Sequence, residues 1–200
     1  MTLLVGRGAP NFSGIASMPD GSVSAEFQLS EYIKGRMAVI FFYSMDFSYV
    51  CATELVSLNN HYEEFAKHNI AVVCISRDSQ LSHQKWRNTL PKYGGVGPLK
   101  FPLIADVNHK IAAGYDVLVN DSLSLRATFL IDKIGVIRHQ SVNDFPIGRN
   151  VHEILRLIDA QLFHQETGKL CPINWQSGDH GLIADDESLA SFMDKYADTL

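Results

Sequence analysis

Apolar residues along the chain form short unbroken blocks that alternate with stretches of helical spacing. Met37–Tyr43 and Ile70–Ile75 are two such blocks. Blocks of this length that are apolar throughout are typical of strands buried on both faces of a sheet. From about Thr53 the apolar positions change to one helical stripe, formed by Leu55, Leu58, Tyr62, Phe65 and Ala66.

The rest of the chain continues this alternation. Residues 1–35 carry scattered Gly, Pro and Ser and predict at most a loop or hairpin. Further strands are predicted at Phe101–Ala105, Ala127–Ile131 and Val136–Gln140. Further helices are predicted around Trp86, near Lys110–Tyr115, over Val151–Leu162 and over Leu189–Tyr196. The order β-α-β-α-β-α-β-β-α predicts an α/β fold with a mixed central sheet flanked by helices.

The length of the chain suits one domain with a short appendage. The chain has 200 residues, and a domain boundary is plausible only near Thr167–Gly168. We therefore expect a main domain over residues 1–167 and a C-terminal arm over residues 168–200.

Composition and charge exclude several classes of protein. Apolar residues make up 46% of the chain and charged residues 20%, which indicates a globular protein. The net charge of −5 does not favour a nucleic-acid partner. Met37–Tyr43, the longest apolar run, is far shorter than the roughly 20 residues of a transmembrane helix. The N-terminus shows no signal-peptide pattern, so we expect a cytoplasmic protein without a membrane partner.

Three cysteines, Cys51, Cys74 and Cys171, are the candidates for chemistry. Their odd number and the lack of a CxxC pair argue against a secreted disulfide framework and against the common dithiol motif. The eight histidines are scattered and form no cluster with metal-ligand spacing, so no metal site is predicted. Cys74 lies inside the predicted strand Ala71–Ile75 and is interpreted as a core residue.

Cys51 follows a buried strand and a turn and opens a helix. Unpaired N–H groups and the helix dipole at a first turn favour a thiolate, which is the nucleophilic form of cysteine. A buried, inert first-turn cysteine fits the same position equally well.

The segment around Cys51 resembles a known family. Residues 41–54 read Phe-Phe-Tyr-Ser-Met-Asp-Phe-Ser-Tyr-Val-Cys-Ala-Thr-Glu. The active-site segment of peroxiredoxins is similar: Phe-Phe-Tyr-Pro-x-Asp-Phe-Thr-Phe-Val-Cys-Pro-Thr-Glu. The similarity continues in the same order at residues 82–86, 94–97, 101–106, 125–132, 148–150 and 171–175. The nearest subgroup is the typical two-cysteine type, which includes the bacterial alkyl hydroperoxide reductase C subunit.

The resemblance implies a thioredoxin-like fold, a thiol-dependent peroxidase activity and roles for matching residues. Cys51 matches the peroxidatic cysteine, which attacks hydrogen peroxide or an organic hydroperoxide and becomes a sulfenic acid. Ser48 matches a threonine whose hydroxyl bonds the thiolate. Arg126 matches the arginine that lowers the thiol pKa, although taken alone it would be interpreted as a surface charge. Glu54 and Arg149 match residues that orient this arginine.

Cys171 matches the resolving cysteine, which attacks the sulfenic acid of a partner subunit to form a disulfide. The resemblance implies an antiparallel homodimer, and a ring of five dimers as the decamer. It also implies that thioredoxin or a flavoprotein disulfide reductase reduces the disulfide, and that the enzyme needs no metal, haem or flavin of its own.

Three positions depart from the family pattern: Ser44 and Ala52 stand where the family has proline, and Ser48 stands where it has threonine. Serine keeps the hydroxyl, so the reaction class is unaffected. Loss of proline at residue 52 removes a residue that is favoured in a first helical turn, and loss of proline at residue 44 removes a rigid shield over the pocket. Together the two changes predict an active but slower enzyme. Two alternatives remain: a non-catalytic chaperone or peroxide-sensing scaffold, and a thiol-disulfide oxidoreductase of the same fold, against which the missing CxxC argues.

Overall fold

The computed structural model describes residues 2–200, and these form two compact units. The first unit ends at Val151 and the second is His152–Leu200. The predicted division into a domain over residues 1–167 and a C-terminal arm over residues 168–200 remains a prediction. None of the helices within residues 2–200 is long and apolar enough to cross a bilayer.

The first unit carries the strands. They are β1 (Ser13–Ser17), β2 (Val23–Gln28), β3 (Ala38–Phe42), β4 (Ala71–Ser76), β5 (Leu103–Ala105), β6 (Leu118–Val119), β7 (Leu123–Ser124), β8 (Arg126–Ile131) and β9 (Ile137–Asn143). The helices of the chain are α1 (Leu29–Tyr32), α2 (Tyr49–Asn60), α3 (Tyr62–Lys67), α4 (Gln80–Arg87), α5 (Lys110–Gly114), α6 (Val151–Thr167) and α7 (Asp186–Tyr196).

Seven of these strands form one mixed sheet in the order β2-β1-β5-β4-β3-β8-β9. β3, β4 and β5 are parallel neighbours, whereas β8 pairs antiparallel with both β3 and β9. β6 and β7 form a separate two-stranded ribbon. The predicted α/β fold with a mixed sheet is therefore confirmed.

All residues of β3, β4 and β8 are buried, so the centre of the sheet is covered on both faces. Side chains alternate along each strand, and every second residue joins one large core cluster that includes Ile40, Val73 and Phe129. The residues between them point to the opposite face. On that face Phe41 stands in register with both Cys74 and Thr128, and Arg126 precedes Thr128 by two positions.

The helix that carries Cys51 differs from its prediction at both ends. α2 begins at Tyr49, four residues before the start predicted near Thr53. The apolar pattern does not reveal this start, because Tyr49 is 94% exposed and adds nothing to the stripe. The helix ends at Asn60, since His61 leaves the helical conformation with φ −96° and ψ 10°. The stripe predicted as one helix is therefore α2 followed by α3.

The second unit contains α6 from His152 onward, a loop and α7. The loop is closed by an antiparallel bridge between Leu170 and Leu182. Phe163 and Trp175 pack with ring centroids 4.9 Å apart. α7 begins at a cap in which Asp185 accepts a hydrogen bond from the backbone N–H of Ser188. Both helices predicted after residue 150 are thus present.

Candidate active site

The junction between β3 and α2 places Cys51 near the end of β3 and the start of β8. After β3 ends, Phe47 adopts a left-handed backbone conformation with φ 57°, which is uncommon for a bulky residue and turns the chain sharply. Ser48 is extended and serves as the N-cap residue of α2, but its side chain makes no capping hydrogen bond. Cys51 is consequently the third residue of the helix, within the first turn, where the dipole favours negative charge.

The Cys51 sulfur is fully buried and has polar neighbours on two sides. The Ser44 hydroxyl lies 3.2 Å from Cys51 Sγ. Arg126 donates a hydrogen bond from Nη1 to the same sulfur, also at 3.2 Å.

These neighbours change the acidity of the thiol. Burial by itself raises the pKa of Cys51, because it disfavours the charged thiolate. Hydrogen bonds from the hydroxyls of Ser44 and Ser48, from the backbone of Met45 and from Arg126 act in the opposite direction and prevail. The pKa of Cys51 is therefore below its ordinary value, as a nucleophilic cysteine requires.

Arg126 is held in place by groups on three sides. It lies at the start of β8 and is buried. Besides its bond to Cys51, its Nε donates to the carbonyl oxygen of Phe145 at 2.7 Å, and its Nη1 donates to Glu54 Oε2 at 2.9 Å. A guanidinium fixed in this way presents a permanent positive charge to the sulfur at no cost in reorganisation.

Glu54 links Arg126 to a second arginine with a buried side chain, Arg149. Glu54 follows Cys51 by one helical turn, and its carboxylate accepts hydrogen bonds from the backbone N–H, Nε and Nη2 of Arg149, each at 2.9 Å. Arg149 also donates from Nη1 to the Ala127 carbonyl at 2.8 Å, and its guanidinium carbon lies 3.2 Å from the ring centroid of Phe41. Burial raises the pKa of Glu54, but the bonds and charge of Arg149 outweigh it, so the pKa is lowered.

A second polar cluster fixes the turn that precedes α2. Asp46 accepts hydrogen bonds from Tyr43 Oη at 2.8 Å and from Ser82 Oγ at 2.7 Å, and its carboxylate lies 2.9 Å from His83 Nδ1. The backbone N–H of Asp46 donates to Asp78 Oδ2 at 2.8 Å. Hydrogen bonds therefore connect the turn before Cys51 to α4 and to the residues that follow β4.

Five predicted site residues come together in the first unit: Cys51, Ser48, Glu54, Arg126 and Arg149. Without the family resemblance, Arg126 is predicted to be a surface charge. This prediction is wrong, because Arg126 is buried and its charge is compensated by Glu54. The roles predicted for the five residues remain predictions.

The other two cysteines lie elsewhere. Cys74 is fully buried in β4, which confirms it as a core residue, and burial raises the pKa of its thiol far above the ordinary value. Cys171 lies in the second unit, is half-buried and contacts the Ala160 carbonyl oxygen at 3.5 Å. Its pairing with Cys51 remains a prediction.

Sequence reasoning missed two neighbours of the site. Ser44 was interpreted only as a lost proline, although its hydroxyl contacts the sulfur. The carbonyl of Phe145 gives no signal at all in a sequence, because every residue has one.

Within residues 2–200, no group of three or more His, Cys, Asp or Glu side chains is arranged to hold a metal ion.

Comparison with known proteins places the chain in one family. The AhpC/TSA family matches residues 5–140. The chain is 43% identical over 194 residues to alkyl hydroperoxide reductase C of Buchnera aphidicola subsp. Schizaphis graminum, covering 96% of this chain and 98% of that protein. It is 40% identical over 194 residues to the thioredoxin peroxidase of Echinococcus granulosus, covering 96% and 99%.

Solved structures agree with this assignment. The reduced 2-Cys peroxiredoxin of Plasmodium vivax superimposes with a TM-score of 0.93 at 37% identity, covering 96% of this chain and 100% of that one. The predicted thioredoxin-like fold and the predicted resemblance to two-cysteine peroxiredoxins are both confirmed. The chain belongs to the AhpC/TSA family.

Proposed function

We propose that this protein is a thiol-dependent peroxidase that reduces hydrogen peroxide and organic hydroperoxides. The observation that carries the proposal is the hydrogen bond of 3.2 Å from the buried Arg126 guanidinium to Cys51 Sγ at the first turn of a helix. This arrangement stabilises a thiolate and leaves a positive charge beside the atom that a peroxide must approach. The family to which the chain belongs supports the same chemistry.

The first step is a displacement at a peroxide oxygen. The Cys51 thiolate attacks the terminal oxygen, a sulfur–oxygen bond forms and the oxygen–oxygen bond breaks. Sulfur is oxidised to a sulfenic acid, and the leaving alkoxide or hydroxide takes up a proton to become an alcohol or water. Arg126 stabilises the charge that develops on the peroxide oxygens, while Glu54 and Arg149 hold Arg126 in position. Ser48 supplies a hydroxyl to the thiolate.

The second step returns sulfur toward the thiol state. The Cys171 thiol of a partner subunit attacks the Cys51 sulfenic acid, a disulfide forms, and the hydroxyl of the sulfenic acid leaves as water. A dithiol protein then reduces the disulfide. Thioredoxin is supported as this reductant by the relative named thioredoxin peroxidase, and a flavoprotein disulfide reductase would serve the same chemistry.

The assembly that fits this step is a homodimer in which each C-terminal arm serves the partner, with a decamer of five dimers as the larger form. Cys171 belongs to the second unit, His152–Leu200, whereas Cys51 belongs to the first. A cytoplasmic location also remains a prediction.

Steady-state peroxide consumption with dithiothreitol as reductant tests the proposal. The wild type and the control variant Cys74→Ala, which alters a buried cysteine outside the site, should consume peroxide at similar rates. Cys51→Ser should consume none. Consumption by Cys51→Ser at the wild-type rate would contradict the proposal, and oxidation of Cys51 without turnover in the wild type would favour the sensing scaffold instead.

A further inference from the structure

Ser44 occupies a position at which peroxiredoxins carry proline, and it brings a group that proline lacks. Its side chain is buried, and its Oγ lies 3.2 Å from Cys51 Sγ. Within the described residues, that sulfur is the one hydrogen-bond partner of the hydroxyl. A buried hydroxyl with a single partner keeps that hydrogen bond, because without it the hydroxyl would be unsatisfied.

The backbone that carries Ser44 is fixed independently of the sulfur. The N–H of the preceding residue, Tyr43, donates to the Ile75 carbonyl at 3.0 Å, and the Tyr43 carbonyl accepts from Ser124 Oγ at 2.9 Å. The Tyr43 hydroxyl is bonded in turn to Asp46 on the other side of Ser44. The hydroxyl is therefore held toward the sulfur before any substrate arrives, which is what electrostatic preorganisation requires.

The direction of this hydrogen bond depends on the state of Cys51. A neutral thiol and a hydroxyl can each donate to the other, but a thiolate has no proton and can only accept. When Cys51 is ionised, Ser44 must therefore be the donor. Such a bond stabilises the charged form without adding a second charge to the pocket.

We propose that Ser44 is a further catalytic residue, whose hydroxyl donates a hydrogen bond to the reacting thiolate of Cys51. The proposal rests on the peroxidase function and deepens it. Arg126 reaches the sulfur from β8 and Ser44 reaches it from the β3–α2 junction, so the two donors come from different elements. In this chain the loss of proline at residue 44 is thus the gain of a donor, rather than only the loss of a shield.

The test measures the acidity of Cys51 without peroxide. Thiolate absorbance at 240 nm is titrated for each protein and corrected with the same protein carrying Cys51→Ser. Ser44→Ala and Ser44→Gly both remove the hydroxyl without adding bulk, and each should raise the pKa of Cys51 by about one unit. Ser44→Thr keeps a hydroxyl and should stay near the wild-type value. Ser17→Ala, which removes another buried serine hydroxyl that has no contact with Cys51, should also leave it unchanged.

The rate of reaction with hydrogen peroxide gives a second readout. At a pH below the wild-type pKa of Cys51, Ser44→Ala should react several-fold more slowly, and the difference should shrink as the pH rises above both pKa values. An unchanged pKa of Cys51 in folded Ser44→Ala and Ser44→Gly would overturn the proposal. This outcome differs from a failure of the proposed function, in which the wild type itself would not consume peroxide.

Discussion

Glu54 joins the two arginines of the site. Its carboxylate is buried and is shared between Arg126 and Arg149, each bonded at 2.9 Å. Removal of one partner from a buried ion pair leaves a charge without compensation, which typically costs about 3–5 kcal/mol. A neutral residue at position 54 would leave two guanidinium groups facing each other.

Glu54→Gln should lower the free energy of unfolding by about 3 kcal/mol, because the amide keeps the shape but not the charge. Urea denaturation followed by circular dichroism measures this change. Glu63→Gln is the matched control, since Glu63 pairs with Lys100 in solvent, and its loss should cost less than about 1 kcal/mol. Equal effects of the two variants would show that the buried network does not stabilise the fold.

The same carboxylate makes stability depend on pH. The pKa of Glu54 is lower in the folded protein than in the unfolded chain, so the unfolded chain binds the proton more readily. The stabilisation by Glu54 is therefore complete above the unfolded pKa of about 4.3 and is lost as the pH falls through the lower folded value.

Unfolding free energies measured from pH 7 down to pH 3 check this dependence. The difference between wild type and Glu54→Gln should be largest at pH 7 and should shrink below about pH 4. A difference that stayed constant over this range would contradict the lowered pKa.

At the residue scale, the sequence indicated the proposed nucleophile more readily than its surroundings. A buried strand, a turn and a helix follow one another around Cys51 and mark it as a candidate, although an inert cysteine fits that position equally well. Arg126 approaches Cys51 from 75 residues away in the chain, and only the resemblance to a family pointed to it. The contact made by Ser44 depends on a side-chain direction after β3 that local patterns do not encode.

The first turn of α2 differs from the turn that the family sequence would form. Ala52 was expected to occupy a first-turn position that favours proline, but it is the fourth residue of the helix. Its N–H donates to the Ser48 carbonyl at 3.0 Å, a bond that proline cannot make. The turn that covers Cys51 is therefore secured by an intrahelical bond that the family proline excludes.

Ala52→Pro should loosen this turn, because it removes the bond and crowds the Ser48 carbonyl. Amide hydrogen exchange followed by mass spectrometry should show faster exchange across residues 49–53. Ala52→Gly is the control, since it lowers helix propensity but keeps the N–H. Exchange that is no faster in Ala52→Pro than in Ala52→Gly would show that the bond does not secure the turn.

At the element scale, the buried strands could be predicted and the helix ends could not. β3 and β4 are apolar throughout because both faces are covered, and such blocks stand out in a sequence. The start of α2 is set by the backbone of Ser48 and by the left-handed Phe47, and neither leaves a hydrophobic signal. The short strands β6 and β7 pair in a ribbon of two residues each, too short for periodicity to reveal.

For the whole molecule, the two proposed redox cysteines belong to different units. Cys51 is fully buried in the first unit, whereas Cys171 belongs to the second. A disulfide needs the two Cβ atoms within about 4.5 Å, so the Cys51 side chain must be uncovered before a bond forms. We therefore expect the first turn of α2 to open between the two chemical steps.

The disulfide should link two subunits. After one equivalent of hydrogen peroxide, the wild type should run as a dimer on a non-reducing denaturing gel, while Cys51→Ser and Cys171→Ser alone should remain monomers. A mixture of the two variants in which subunits exchange should give a dimer held by a single disulfide. Loss of both thiols in a wild type that still runs as a monomer would contradict resolution by the partner.

For the whole molecule, residue patterns predicted the α/β architecture but not the proposed pairing of Cys51 with Cys171. Alternating buried strands and amphipathic helices are sufficient to define an α/β fold with a mixed sheet, because each element must bury its apolar face. The pairing of Cys51 with Cys171 depends on assembly, and an acidic chain without a recognisable repeat carries no local pattern for that.

The most direct test of the account is stopped-flow fluorescence of the reduced protein mixed with hydrogen peroxide, measured for wild type, Cys51→Ser and Cys171→Ser. We expect a fast phase whose rate rises with peroxide concentration and a slower phase that does not depend on it. Cys51→Ser should lose both phases, and Cys171→Ser should lose only the slower one. A wild type with no peroxide-dependent phase and an unchanged thiol count would contradict the assignment of Cys51 as the peroxide-reactive thiol.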